Sequence, residues 1–229
     1  MAIVKPFKAV RTTRDKVAMV SSKSYEIYTP AMLDSKLAFN PYTFLHVINP
    51  GYKYHKQDIS GELRFKLVHN RYLEFKENEI FKQDKVPAFY IYQKITPTKS
   101  FCGIISATSV ADYHNNVIKK HEGTLKQREL LFENYLKNTG FNAEPVLLTY
   151  PDNKIIASII KKYKQQRAEY EFSTTDKDSH LLWVVDDELD IEEITSAFKE
   201  IETLYIADGH HRSTSSCLLS ERLAQENPN

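Results

Sequence analysis

The chain predicts a mixed α+β fold, and three observations carry that prediction. Short β-rich apolar runs alternate with stretches whose apolar residues recur every three or four positions. At 229 residues with 41% hydrophobic content, the chain is large enough to bury a substantial core. No internal repeat or low-complexity tract interrupts the alternation.

Taken in order, the first sixty residues carry Pro6, Pro30, Pro41 and Pro50 among many tyrosines and read as short strands and turns. The clearest strand there is Thr43 to Ile48. From Gly61, the residues Leu63, Leu67, Val68, Tyr72 and Phe75 recur at helical spacing and predict an amphipathic helix to about Glu79. Ala88 to Ile95 and Phe101 to Thr108 are two β-rich runs whose short connection suits an antiparallel hairpin. Ser109 followed by Asp112 predicts a capped helix running towards Lys120, and Thr124-Leu125-Lys126-Gln127 has capping-box spacing for a second. That second helix carries Leu125, Leu131, Phe132, Tyr135 and Leu136 as its apolar stripe and ends near Gly140. Pro145 to Tyr150 reads as a buried strand, and Asp152 as the cap of a helix bearing Ile155, Ile156, Ile159, Ile160 and Tyr163. Leu181 to Val185 is a further strand, followed by a helix with Ile191, Ile194, Phe198 and Ile201 on one face. Thr203 to Ala207 is the last strand, with a final helix expected from Ser213 to about Glu226. A division near residue 85 separates an N-terminal strand/helix region, 1–85, from a second region, 86–229. The last helix runs almost to Asn229, and the chain reads as a fragment of a longer protein.

A formal charge of +1 with 27% charged residues leaves no global field favouring nucleic acid or an anionic membrane. Nucleic acid is therefore a disfavoured partner, and the basic run from Lys161 to Arg167 reads as a solvated helix end. Cys102 and Cys217 form no C-x-x-C pair and read as core residues, which suits a reducing cytoplasm. The first residues lack the apolar segment of a signal peptide, and no run approaches the roughly 20 apolar residues of a membrane span. With only six glycines, Walker and Rossmann loops are absent. Ser24, Ser106 and Ser216 lack the setting of a nucleophile elbow.

The constellation Asp208-Gly209-His210-His211-Arg212, placed between a strand and a helix, is the centre of the chemistry. Helix N-termini offer unpaired N–H groups and about half a positive charge to an anion. Gly209 lets backbone approach a ligand, Arg212 can grip phosphate oxygens with two parallel hydrogen bonds, and the histidines add donors. Asp208 would repel a bare phosphate, but it fits if it holds Mg²⁺ or the polar head of a substrate. Zinc is a competitor, though adjacent helical residues do not share a face and no His-x-x-x-His spacing occurs here. Upstream, His121-Glu122 lies just before Thr124, where a helix entrance favours an ionised carboxylate, so Glu122 can serve either as a base or as a stabiliser of that helix start.

Ile206 to Arg212, together with Lys120-His121-Glu122, resembles the free-serine kinase family and a wider bacterial family of unknown function that shares its domain. The likeness to the wider family extends from about Asn40-Pro41-Tyr42 to the chain end. It implies a ParB/sulfiredoxin-like domain, in which a polar glycine-containing loop before a helix binds nucleotide phosphates. It further implies that Glu122 is the base for a serine hydroxyl, that Asp208 assists with substrate or Mg²⁺, and that Gly209, His210, His211, Arg212 and Ser213 hold the nucleotide, with His121 and Thr124 in support. The reaction implied is ATP or ADP plus L-serine giving O-phosphoserine, or, in a non-catalytic ParB-like module, nucleotide binding alone. Two departures stand out: Ser213 replaces a large aromatic residue, and the stretch between Glu122 and Asp208 is longer.

Overall fold

The computed structural model describes residues 1–53 and 59–227. The fold is mixed α+β. The chain opens with β1 (Val4–Lys5), β2 (Val10–Thr12) and a single helical turn, α1 (Val17–Val20). A 3₁₀ turn at Tyr25–Ile27 precedes α2 (Pro30–Phe39), where Thr29 accepts the Met32 N–H at 3.3 Å and Pro30 occupies the first turn, which needs no N–H. Next come α3 (Leu45–Ile48), a 3₁₀ turn at Pro50–Lys53, and the long α4 (Gly61–Glu77).

The run expected as the clearest strand, Thr43 to Ile48, is helical instead. Asn40 Oδ1 accepts the Tyr42 N–H at 3.1 Å and Thr43 Oγ1 accepts the Leu45 N–H at 3.4 Å, so local side-chain bonds start a turn. A six-residue apolar run has too little length for periodicity to separate a strand from a buried helical turn. Leu45 and Val47 are fully buried in it.

From β3 (Phe81–Gln83), which pairs antiparallel with β2, the chain enters the main sheet. The hairpin β4 (Phe89–Ile95) and β5 (Ser100–Ile105) forms as the spacing predicts. Two more strands, β9 (Tyr170–Ser173) and β10 (Ser179–Val185), complete an all-antiparallel sheet of order β5-β4-β10-β9. β6 (Ala107–Thr108) leaves that sheet to pair with β1.

The remaining elements are α5 (Val110–His114), β7 (Ile118–Lys119), α6 (Lys126–Thr139), β8 (Leu147–Thr149), α7 (Lys154–Lys164), α8 (Glu188–Lys199), β11 (Leu204–Asp208) and α9 (His210–Glu226). The helix expected to run from Ser109 towards Lys120 stops at His114. Asn116 adopts φ 59, a left-handed conformation that ends the turn, and the chain then pairs as β7. Asp112, expected at a cap, instead accepts the Ile3 N–H at 2.6 Å and ties the N-terminus to α5.

The stripe read for α6 is also displaced. Leu125 and Leu131 are 63% and 55% exposed, whereas Glu133 and Thr139 are buried. Glu133 survives burial because Arg222 of α9 donates to it at 3.0 Å across the α6–α9 packing. Gly140 does end α6, at φ 73, where a left-handed residue closes the last turn. The cap of α7 is Asn153, not Asp152: its Oδ1 accepts the Ile155 and Ile156 N–H groups at 3.0 and 3.2 Å.

Two apolar clusters result. The larger joins Phe89 and Ile91 of β4, Trp183 and Val185 of β10, the inner faces of α7 and α8, Ile206 of β11 and Cys217 of α9, and it also takes in Ala2 and Val4. The smaller gathers Val20, Val47, Val68, Phe75, Ile80 and Phe81, against which Tyr135 and Phe141 pack. Among the described residues no helix is long and apolar enough to cross a membrane.

Candidate functional site

Three short strands, in the order β7-β11-β8, position the candidate site. β11 runs parallel to β7, with Leu204 opposite Ile118 and Tyr205 opposite Lys119, and antiparallel to β8. Two adjacent parallel strands therefore end on the same side. In open α/β sheets, ligands bind outside such carboxyl ends, because the chain leaves the sheet there with its polar groups turned outward. Three residues beyond the Tyr205–Lys119 pair stand Asp208, at the end of β11, and Glu122, in the bend that follows β7. Leu204 and Ile206 anchor β11 in the core, while Ala207 and Asp208 are exposed. A register shift between Ile206 and Asp208 marks a bulge that redirects the end of the strand.

The helix after β11 begins earlier than expected. α9 starts at His210, and its first intrahelical bond runs from the Ser213 N–H to the Gly209 carbonyl at 2.9 Å. His210, His211 and Arg212 are thus the first turn of a helix, not a preceding loop. Gly209 is its N-cap at φ 94, a conformation costly for any residue with a Cβ, and it contributes no capping side chain. The N–H groups of the first turn precede the helical ladder, and that turn contains no acidic side chain. Further along, the hydroxyls of Thr214, Ser215 and Ser216 donate to the carbonyls of His210, His211 and Arg212 at 3.1, 2.7 and 2.9 Å.

Glu122 and His210, distant in sequence, meet here. Glu122 Oε2 lies 3.4 Å from His210 Nδ1, and Glu122 Oε1 lies 3.9 Å from His121 Nε2. The two imidazole rings pack edge to face, with centroids 4.4 Å apart. His210 is buried, whereas His121 and Glu122 are 61% and 65% exposed at their side chains. His210 Nε2 and His211 Nδ1 are buried without a hydrogen-bond partner. Orphaned buried polar atoms cost about 1–3 kcal/mol each, so they concentrate where something other than stability is served.

Arg212 folds back over Gly209. Its Nη2 reaches Asp208 Oδ2 at 2.5 Å, and its Nη1 reaches Glu144 Oε2 at 2.7 Å, so two exposed carboxylates bracket the guanidinium. A Cβ built on Gly209 would stand 3.0 Å from Arg212 Nε, so a larger residue here would displace the guanidinium as well as strain the backbone. Asp208 and Glu144 together offer the hard oxygen donors that Mg²⁺ prefers, provided Arg212 turns away from them.

Of the residues read from the sequence, His121, Glu122 and His210 come together directly, and Asp208, Gly209 and Arg212 form an adjoining group. Thr124 faces elsewhere: it lies before the true N-cap, Leu125, and its hydroxyl donates to Glu129 instead of capping α6. Ser213 lies within the first turn of α9. Glu144 was not foreseen, since a lone glutamate before a proline carries no signal of its own. The Tyr113–Thr214 hydroxyl pair at 2.6 Å, with the Lys120 ammonium 4.0 Å above the Tyr113 ring, joins residues 101 positions apart, which no local pattern pairs. Two surface grooves share no residue with this cluster: Ile3, Lys5, Ala107, Thr108 and Ser109 line one, and Asn70, Leu73, Glu74 and Glu77 the other.

Residues 4–229 match the family described as "Protein of unknown function (DUF1015)". The chain belongs to this family. The match begins well before Asn40, where the resemblance read from sequence started, so the DUF1015 unit includes β1 and the helices around α4 as well as the strand-end site. No curated protein and no solved structure matches the chain.

Proposed function

We propose that the strand-end site of this DUF1015 member is a nucleotide-dependent phosphotransferase centre. Its acceptor is a small hydroxyl compound, foremost free L-serine giving O-phosphoserine, and its donor is ATP or ADP with Mg²⁺. The observation that carries the reading is the approach of Glu122 Oε2 to His210 Nδ1 at 3.4 Å, which sets an exposed carboxylate beside the uncapped N-terminus of a 17-residue helix. A phosphate held by first-turn amides and an acceptor hydroxyl touching Glu122 would then be neighbours.

In this scheme the first-turn N–H groups of α9 hold the phosphate, and Arg212 swings from Asp208 and Glu144 to the phosphate oxygens. That movement frees Asp208. Mg²⁺, when bound, would neutralise phosphate charge, with Asp208 and Glu144 as the donors that fit it. Glu122 accepts the hydroxyl proton as the substrate oxygen bonds to the terminal phosphorus, and the bond from that phosphorus to the nucleotide oxygen breaks. His210, fixed by burial, orients the carboxylate through its ring nitrogen.

Phosphorus NMR of the full-length protein with Mg²⁺, ATP or ADP, and L-serine tests this reading. The expected result is a new phosphomonoester signal that grows about 10²–10⁴ times more slowly in Glu122→Gln, with nucleotide affinity retained. A second reading, a non-catalytic nucleotide-binding module, draws on the double ion pairing of Arg212, which needs no chemistry to follow its release. Nucleotide binding in both proteins with no phosphorylated product would favour it.

A further inference from the structure

The same strand ends carry a donor set of another kind. One ring nitrogen each from His121 and His210 and one carboxylate oxygen from Glu122 all lie within 4.8 Å of one another. Two imidazoles and a carboxylate are not the all-oxygen shell that Mg²⁺ takes. They are the ligand type of borderline divalent cations, with zinc the commonest, and three protein ligands with an open fourth position characterise its reactive sites. We infer that His121, Glu122 and His210 form a three-ligand site for a zinc-class cation.

The distances suit this. Donors bound to a tetrahedral ion at about 2.0–2.2 Å stand roughly 3.4 Å from one another. Glu122 Oε2 and His210 Nδ1 are already 3.4 Å apart, and His121 Nε2 is 3.9 Å from Glu122 Oε1. Closing the set draws donors that all lie within 4.8 Å of one another to that spacing. The ligand that must stay fixed is the buried one, His210, while the two that must adjust, His121 and Glu122, are exposed. The two imidazoles pack edge to face with centroids 4.4 Å apart beside one carboxylate, and a divalent ion would engage all three groups at once. A His-x-x-x-His spacing is needed only when both histidines stand on one helix. Here one histidine follows β7 and the other opens α9, so helical spacing does not apply.

The inference does not rest on phosphoryl transfer, and it adds a consequence if that reading holds. A zinc-class ion engages the lone pair with which Glu122 would accept a proton, so occupancy would suppress transfer.

The test is a Co²⁺ titration of the chelator-treated full chain, followed by its visible absorption. The expected result is one equivalent of Co²⁺ giving the intense band of a low-coordinate ion, displaced by Zn²⁺ and not by Mg²⁺. His121→Ala and Glu122→Gln should each weaken Co²⁺ binding at least tenfold; both positions are exposed, so the fold should survive. His114→Asn, at an exposed histidine paired with Glu221 at 3.2 Å, should bind Co²⁺ as the unaltered chain does. Only the pale spectrum of a hydrated ion, or equal affinity in His121→Ala, would overturn the metal site. Either outcome leaves phosphorus NMR to judge phosphoryl transfer separately.

Discussion

Replacing Gly209 by alanine tests how the strand-to-helix junction is built. At φ 94 a Cβ is strained, and a non-glycine residue in a left-handed conformation loses about 1–2 kcal/mol. The added carbon would also lie 3.0 Å from Nε and 3.1 Å from Nη2 of Arg212, so the guanidinium must move and loosen its pairs with Asp208 and Glu144. Those pairs are exposed on the carboxylate side, and their loss adds no more than about 1 kcal/mol. The expected cost is about 1–3 kcal/mol, which for a chain of this size lowers Tm by roughly 2–12 °C. Gly140→Ala is the matched control. It is left-handed at φ 73, yet its added Cβ meets only His69, at an ordinary 3.6 Å, so it should lose the strain contribution alone, about 1–2 kcal/mol. Urea denaturation of both variants, with Arg212→Ala as the second arm of a double-mutant cycle, separates the two contributions. Arg212→Ala should relieve part of the Gly209→Ala cost and none of the Gly140→Ala cost. Equal costs for the two alanine variants, with no coupling to position 212, would refute the folding of Arg212 over Gly209.

Two further outcomes follow from buried groups. Burial, reinforced by Lys94, holds His180 below the ordinary histidine value, and burial with Arg71 does the same for His46. Both rings favour the neutral form in the folded protein, so their contribution is present above about pH 6.5 and is lost as pH falls from there through the folded-state values. The carboxylates of Glu74 and Glu169, held low by neighbouring cations against the effect of burial, keep their stabilising contribution throughout that window and lose it only as pH falls below the ordinary glutamate range. Denaturation midpoints should thus decline from pH 7.5 to 5.5, and the decline should be shallower in a His46→Asn/His180→Asn protein; an unchanged slope would count against the assignment. The cysteines should separate in thiol labelling. Cys102, expected in the core, is exposed on β5, whereas burial pushes the Cys217 thiol up to about 11. One thiol should react in the native protein and the second only on unfolding, and rapid labelling of both would contradict the packing of α9.

Much of the α+β order was legible because most elements identify themselves locally. The hairpin of β4 and β5, the start of α4, the left-handed end of α6 at Gly140 and the isoleucine face of α7 all follow from patterns within a dozen residues. Local reading failed where a neighbour decided the outcome. β7 is only two residues long and exists because β11 pairs with it. The α6 stripe was misplaced because Arg222, from another helix, makes buried Glu133 tolerable. Capping residues were assigned one position early at Asp152, since aspartate and asparagine are equally good caps and backbone geometry selects between them.

The sequence by itself determined the chemistry available at the strand-to-helix junction. Asp208, a glycine, two histidines and an arginine between a strand and a helix set which charges and donors stand there, because residue type is a local property, whereas the start of that helix at His210 was decided by the fold. Only the tertiary structure decided what faces that helix start. The parallel pairing of β7 with β11 carries His121 and Glu122 to His210, and the path of the chain before β8 brings Glu144 to Arg212. Strand order and register arise from long-range packing that no local pattern encodes, and so it was the fold that brought a carboxylate and two imidazoles together at one helix end.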